Sequence, residues 1–466
     1  MASGSTKRSA LQQIPLYIAA DNGFPITISP EPFAGPASRS RRSDDWGAFA
    51  DAFIRFNREA LTALDVIAEP VADSSGFSLR LRPGGRTGAV PLRSGQTGNV
   101  TGGLVVQPRF GWSGVGRVLA ETGWAAYPVF HSFAMVPGSG REVPPWVLAG
   151  PVLFRLEALL GKMRRGYQER EETLSRPRGR ILWQRYITES LAKGHWEQLP
   201  CRFPDLGHDP ILRRYMRWTL EKIYSDLTRV GQADRIALDL ANLAQQLLSI
   251  LAGVLPLRPR PSELQRWERT GFLDDTITKG LEAIAWVEEE RGLGGGRQLD
   301  GIAWSLSLSQ LWEAYVEAVA RREAALTGGE VKVARLRETT VPLSWSDPMH
   351  RSLGHLAPDI VVRRGRSVHI IDAKYKAHLA ELDEVGWRRF TDETRESHRA
   401  DLHQVLAYAA LYDAEEITAT LVYPLRRDTY DALVRQQRDR STAELVHGGR
   451  HVNLELRGLA FGMKPA

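Results

Sequence analysis

Pro358-Asp359-Ile360-Val361-Val362-Arg363-Arg364-Gly365-Arg366-Ser367-Val368-His369-Ile370-Ile371-Asp372-Ala373-Lys374-Tyr375-Lys376 is the stretch whose reading decides how the C-terminal third of this chain folds. Two β-branched apolar runs flank a glycine, which predicts a β-hairpin. A two-residue turn of type II′ takes glycine first, so Gly365-Arg366 forms its centre and Arg364 faces Ser367. Carried down the ribbon, that register sets Asp359 directly opposite Asp372. Their Cβ atoms then lie roughly 4.5–5.5 Å apart. Lys374, two residues beyond Asp372, shares its face. Two like charges facing each other are destabilising unless something offsets them, and a divalent cation is the natural compensator.

Such a trio suits hydrolysis of a phosphodiester. Carboxylate oxygens hold Mg²⁺, with Mn²⁺ as a substitute, and a hard ion of this kind keeps several of its waters. The ion activates water and neutralises charge at phosphorus. A lysine positions water and stabilises the transition state electrostatically. The order Pro-Asp, then Asp-x-Lys thirteen residues after the first acid, resembles the PD-(D/E)xK nucleases.

Elements on either side of the hairpin extend the pattern. Upstream, Ser307-Leu308-Ser309-Gln310 is a capping box. It opens a helix carrying Leu308, Leu311, Tyr315 and Val319 on one face, with Glu313 off that face. Nucleases of this superfamily often take a further acid from a helix before the first core strand. Glu313 is thus either a third metal ligand or a surface glutamate. Downstream, Asp401-Leu402-His403-Gln404-Val405-Leu406-Ala407-Tyr408 puts Gln404 and Tyr408 at i,i+4 on one helical face. They either support the site, touch DNA, or pack within the protein.

Asp372-Ala373-Lys374-Tyr375-Lys376, followed about thirty residues later by Asp-Leu-x-Gln-x-x-x-Tyr, resembles the McrC family. That family supplies the nuclease subunit of modification-dependent McrBC restriction systems. Arg178-Gly179-Arg180-Ile181, Leu199-Pro200-Cys201-Arg202-Phe203, Asp209, and Leu212-Arg213-Arg214 with Leu220 resemble its middle segment. This chain has Ile211-Leu212-Arg213 where the family usually shows Asn-Arg. The likeness covers roughly residues 175–225 and 305–425. It implies DNA as substrate, Asp359, Asp372 and Glu313 toward the metal, Lys374 on the side of the catalytic base, and Gln404 and Tyr408 in support. It also implies a separate McrB-like AAA+ hexamer, a GTPase or ATPase, which the N-terminal region would contact and stimulate. The chain carries no Gly-x-x-x-x-Gly-Lys-Ser/Thr phosphate loop, in keeping with a motor encoded elsewhere. Two other readings remain at this point: a stand-alone defence or repair nuclease, and a non-catalytic activator of an AAA+ partner.

Composition bounds the rest. The chain has 466 residues, a net charge of +6 and one cysteine, Cys201. Its sequence pI is about 9.4. A single cysteine rules out an internal disulfide and a cysteine-based zinc site. Basic residues cluster at 162–165, at 176–180, at Arg213, Arg214 and Arg217, and at Arg426-Arg427. The N-terminus lacks the apolar core of a secretory signal. The most apolar long window, residues 237–257, is interrupted by Asp239, Asn242, Gln245 and Gln246, and reads as a buried helix. These features predict a cytoplasmic protein without a membrane segment.

The predicted fold class is α+β. A partly flexible segment spans 1–43 and a β-rich, partner-binding domain spans 44–150. A helical middle region spans 151–296, and a nuclease domain with a mixed sheet flanked by helices spans 297–466. Trp46, Phe49, Phe53, Phe56 and Leu64 predict a helix over 44–68. Short apolar runs over 77–137, including Gly114–Val118, predict strands. Gly292–Gly296 predicts a linker. Trp183, Trp196 and Trp218 read as core or interface, and Cys201 as a buried structural thiol.

Overall fold

The computed structural model describes residues 14–29, 46–73, 76–139, 144–165, 168–177, 179–205, 210–229, 235–268, 275–288, 301–347, 349, 352–376, 391–447 and 450–462. The glycine linker expected at 292–296, Asp209 and Arg178 lie outside them. The chain divides into two compact units, one of residues 1–142 with 299–466 and one of residues 143–298. It is a mixed α and β protein, with a β-rich N-terminal region, helices and mixed sheets.

In the first unit, strands β1 (Leu16–Ala20) and β2 (Ile26–Ile28) arise inside the segment expected to be partly flexible. A helix over Trp46–Ala63 leads to β3 (Val66–Asp73), β4 (Gly76–Pro83), β5 (Arg86–Arg93), β6 (Val100–Gln107) and, after a second helix, β7 (Val129–Phe130). Phe53 and Leu61 of the first helix pack with Ile28, Leu79, Leu81, Val90, Leu92 and Leu104 in one buried cluster.

The expectation of a strand over Gly114–Val118 is corrected: these residues lie in the Gly111–Glu121 helix. Val115, Val118 and Leu119 recur at i, i+3 and i+4 and are buried, while the glycines between them obscured the helical period.

The second unit holds helices over Pro145–Arg165, Pro210–Arg229, Arg235–Ile250, Pro261–Glu268 and Asp275–Glu288. The predicted stripe of Leu153, Leu156, Leu159 and Leu160 is buried. The unit is not all helical. Strands β8 (Gln168–Leu174), β9 (Arg180–Ile181) and β10 (Leu199–Asp205) form an antiparallel sheet. Its Gln-Glu-Arg-Glu-Glu-Thr-Leu strand offers no apolar alternation to read. Arg202 and Arg185 hold it from outside through Glu171. Cys201 is buried, as expected. Trp183 and Trp196 are not core residues, at 61% and 71% exposed.

The chain then returns to the first unit. Strand β11 (Trp304–Ser307) pairs antiparallel with both β5 and β7, completing a five-stranded sheet of order β1-β6-β5-β11-β7. Residues on the two sides of the 44–150 and 297–466 boundaries thus share one sheet. The approach is close: Gly88 has φ +152°, and a Cβ there would lie 2.1 Å from the Trp304 carbonyl oxygen.

Strands β12 (Glu330–Val333), β13 (Val341–Pro342), β14 (His355–Leu356), β15 (Ile360–Arg364), β16 (Ser367–Ala373), β17 (Glu416–Leu425), β18 (Arg440–His447) and β19 (Arg450–Ala460) follow. Six of them form a mixed sheet of order β12-β15-β16-β17-β19-β18. β16, β17 and β19 run parallel, and the outer pairs are antiparallel. Central parallel strands buried on both faces read as near-continuous apolar runs. Ile370-Ile371 and Leu421-Val422-Tyr423 show it, and all five are buried. Helices Leu308–Thr327 and Asp392–Ala409 both pack on this sheet.

Candidate active site

The hairpin forms in the predicted register. Arg364 pairs with Ser367 and Ile360 with Ile371, so the next position along sets Asp359 against Asp372. Gly365 has φ +56° and Arg366 keeps a negative φ, the pattern of a type II′ turn. Past the ribbon's end, the Lys374 amide donates to Val422 O at 2.9 Å, which extends the β16–β17 pairing and fixes the lysine backbone.

The helix carrying Glu313 starts as its capping box predicts. The Ser307 hydroxyl accepts from the Gln310 amide at 3.3 Å, and Leu311, Tyr315 and Val319 are buried beneath. Trp312 is buried too, and its indole donates to Val422 O at 3.2 Å, which ties the helix to β17. The Asp392–Ala409 helix is capped by Thr391, whose hydroxyl accepts from the Thr394 amide. Val405 and Tyr408 point into the sheet's core.

Around Lys374 the fold assembles a connected set of polar groups. Lys374 Nζ lies 2.7 Å from Asp372 Oδ2 and donates to Gln404 Oε1 at 2.8 Å. Gln404 Nε2 donates in turn to the Tyr408 hydroxyl at 2.7 Å. Asp359 Oδ2 accepts the Ala373 amide at 2.9 Å, which aims its carboxyl across the ribbon. The i,i+4 pair predicted on the downstream helix is therefore hydrogen-bonded, and it reaches the lysine.

Asp372 is 1% exposed and Asp359 is half-buried. Burial, with the charges of Asp372 and Glu313, pushes the Asp359 carboxyl up to about 8. Glu313 keeps exposed surface at its rim, yet its carboxyl is raised by burial and by the Asp372 charge, which marks the two as neighbours. Burial works against the Lys374 ammonium, but the Asp372 carboxylate beside it prevails and its pKa is raised. This lysine keeps its proton at neutral pH.

These acids crowd negative charge at one sheet end, where oxygen donors suit a hard divalent cation. The donor chemistry fits such an ion through Asp359 and Asp372. Among the described residues, no group of three or more His, Cys, Asp or Glu side chains is drawn together at ligand distance. The expected three-acid set of Asp359, Asp372 and Glu313 is therefore not assembled as such: Asp372 Oδ2 turns to Lys374, and Asp359 Oδ2 to a backbone amide.

Sequence reading missed Asp401, Lys376, Tyr375 and Asp21. Lys376 Nζ grips both Asp401 oxygens at 2.8 Å, and Lys374 Nζ lies 3.9 Å from Asp401 Oδ1. Asp401, Gln404 and Tyr408 fall at i, i+3 and i+7, a spacing that would have found Asp401. Nothing local could have found Asp21. It is fully buried and accepts the Tyr375 hydroxyl at 2.8 Å.

The chain is thus a mixed α and β protein with a buried acid–lysine cluster at the end of a mixed sheet. The family model described as "McrBC 5-methylcytosine restriction system component" matches residues 154–424, more than half of the chain, and the protein belongs to that family. Among solved structures, it is similar to the refined half-complex from a tetradecameric assembly of Thermococcus gammatolerans McrB AAA+ hexamers with bound McrC. That likeness has 14% identity and a TM-score of 0.39, and covers 96% of this chain and 95% of that one. The cryo-EM structure of the Thermococcus gammatolerans McrBC complex is more distant, at 13% identity and a TM-score of 0.27, covering 66% of this chain and 87% of that one. No curated protein matches. Among the described residues, no helix is long and apolar enough to cross a membrane.

Proposed function

We propose that this protein is the DNA-cleaving subunit of a McrBC-type restriction system, a Mg²⁺-dependent endonuclease of the PD-(D/E)xK kind that works with a separate AAA+ NTPase. The observation that carries the reading is the convergence of Asp359, Asp372 and Lys374 at one ribbon end, in a member of a restriction-system family.

Asp359 and Asp372 would hold Mg²⁺, which prefers one or two carboxylates and several waters. When bound, the ion supplies Lewis-acid activation of water and charge neutralisation at the phosphate. Asp372 also holds the Lys374 ammonium, and Gln404, itself held by Tyr408, fixes its direction. A protonated Lys374 donates to the attacking water or a phosphate oxygen and offsets the negative charge that builds as water adds to phosphorus. Glu313, whose carboxyl is raised by the Asp372 charge, would add negative charge near the ion. The missing phosphate loop supports a motor on another chain.

The test is plasmid cleavage with Mg²⁺ or Mn²⁺, with and without a candidate AAA+ partner and its nucleotide, for wild type and Asp372→Ala. Cleavage by wild type alone, unaffected by motor and nucleotide, would make it a stand-alone nuclease. Motor stimulation without any cleavage would make it an activator only. Undiminished cleavage by Asp372→Ala removes the site assignment.

A further inference from the structure

Arg426-Arg427, one of the basic pairs singled out in the sequence, borders a cavity of about 390 Å³ in the first unit, and Arg109 and Arg117 line it as well. Four guanidinium groups from two separate chain segments, 109–117 and 426–427, line it. Such clustering of like charge is unfavourable without an anion to offset it. The protein supplies little compensation. Arg109 Nε lies 3.8 Å from buried Asp21, and Arg427 Nε lies 3.5 Å from Asp431. Among the described residues, the side chains of Arg117 and Arg426 have no hydrogen-bond or ion-pair partner, and Arg109 Nη2 is buried with no hydrogen-bond partner. The Arg217 cluster in the second unit differs, because its guanidinium is taken up by Glu221 and by the carbonyls of Leu248 and Leu251.

Two aromatic rings of the cavity lining pack against Tyr375, two residues past the end of β16. Phe110 stacks on Phe461 at 4.7 Å, and both rings pack against Tyr375, at 6.0 and 6.1 Å. The Arg109 guanidinium lies 4.6 Å from the Tyr375 ring centre. Tyr375 directly follows Lys374. Phe461 also stacks on Trp312, and Arg109 lies against Phe110. These rings are occupied by protein partners, which leaves them poorly placed to stack on a base. Guanidinium forks recognise phosphate oxygens, often in pairs.

We infer that this arginine cavity binds the phosphodiester backbone of the DNA substrate beside the scissile position, reading charge and not base identity. This rests on the nuclease reading and adds to it the surface that holds the strand. Contacts to phosphate position a protein on nucleic acid without specifying sequence.

The test uses the full chain in EDTA, where cleavage is silent, and reads the anisotropy of a fluorescein-labelled duplex over a KCl series. Arg117→Gln/Arg426→Gln changes two exposed side chains outside the acid–lysine cluster. It should weaken binding about tenfold or more and lower the salt slope by about 2, equally on two unrelated sequences. Arg117→Lys/Arg426→Lys should restore most of both. Wild-type binding with the Gln pair unchanged overturns this inference and leaves the nuclease reading standing. Absence of duplex binding by wild type also overturns this inference, while the nuclease reading stands or falls on the cleavage assay with the motor. Weakening confined to one of the two sequences overturns the charge-only reading. Displacement of the duplex by micromolar GTP, ATP or inorganic phosphate, in wild type but not in the Gln pair, would make the cavity a mononucleotide or phosphate site and overturn the DNA assignment.

Discussion

Tyr375 donates its hydroxyl hydrogen to Asp21 Oδ2 at 2.8 Å, a buried bond spanning 354 positions of sequence. Asp21 follows the first strand, and Tyr375 follows Lys374. The bond therefore ties the N-terminal sheet to the residue next to the lysine. Burial raises the Asp21 carboxyl, while Arg109 and the Tyr375 hydroxyl work the other way. Tyr375→Phe keeps the ring contacts and leaves a buried carboxylate short of a donor. The expected loss of stability is about 1–3 kcal/mol, measured by denaturant unfolding. An unchanged unfolding midpoint would show that the bond contributes nothing.

Lys374→Gln removes the ammonium but leaves a side chain able to meet Gln404. Cleavage should fall by about 10²–10³-fold, with the fold intact by circular dichroism. Asp372→Ala should abolish cleavage altogether. A Lys374→Gln protein cutting at the wild-type rate would mean that its charge takes no part in the reaction.

The Asp359 carboxyl is held up to about 8, against an ordinary value of 3.8. Between those values the native state binds more protons than the unfolded state. Its contribution to stability is therefore fully present below about pH 4 and is lost as pH rises through about 8. Protein kept free of divalent ions should lose stability across that window. Asp359→Asn should flatten the profile there. Identical profiles for the two proteins, followed by thermal unfolding in EDTA, would sink this assignment.

Tyr408 accepts the hydrogen bond that orients Gln404, which in turn accepts from Lys374. Tyr408→Phe should cost about 10–100-fold in rate, as partners of site residues commonly do. The loss should appear in the single-turnover rate, with duplex affinity unchanged. A drop in DNA affinity alone would instead place Tyr408 at the DNA.

Gly88 allows β11 to lie against β5. In Gly88→Ala the new methyl would meet the Trp304 carbonyl at 2.1 Å, at a φ that side chains rarely adopt. A destabilisation of about 1–3 kcal/mol is expected from overpacking alone, read as a lower midpoint in urea. Wild-type stability would mean that the strands separate without cost.

What the sequence determined by itself was local. Glycine at 365 fixed the turn, the turn fixed the pairing of 364 with 367, and a period of two carried Asp359 to Asp372. Ser307 with Gln310, and Gln404 with Tyr408, lie within one helical turn or so, where backbone geometry alone sets the contact. Tertiary structure decided what depends on residues far apart in the chain. Strand β11 joined the N-terminal sheet, the polar β8 found a partner in β10, and Asp21 came to rest under Tyr375. The sequence offered the three acids as a set. Yet the fold turned Asp372 toward Lys374 and Asp359 toward a backbone amide. The reason is physical: spacing fixes which side of an element a group occupies, but its partner is chosen by burial and by charges that the rest of the chain brings to it.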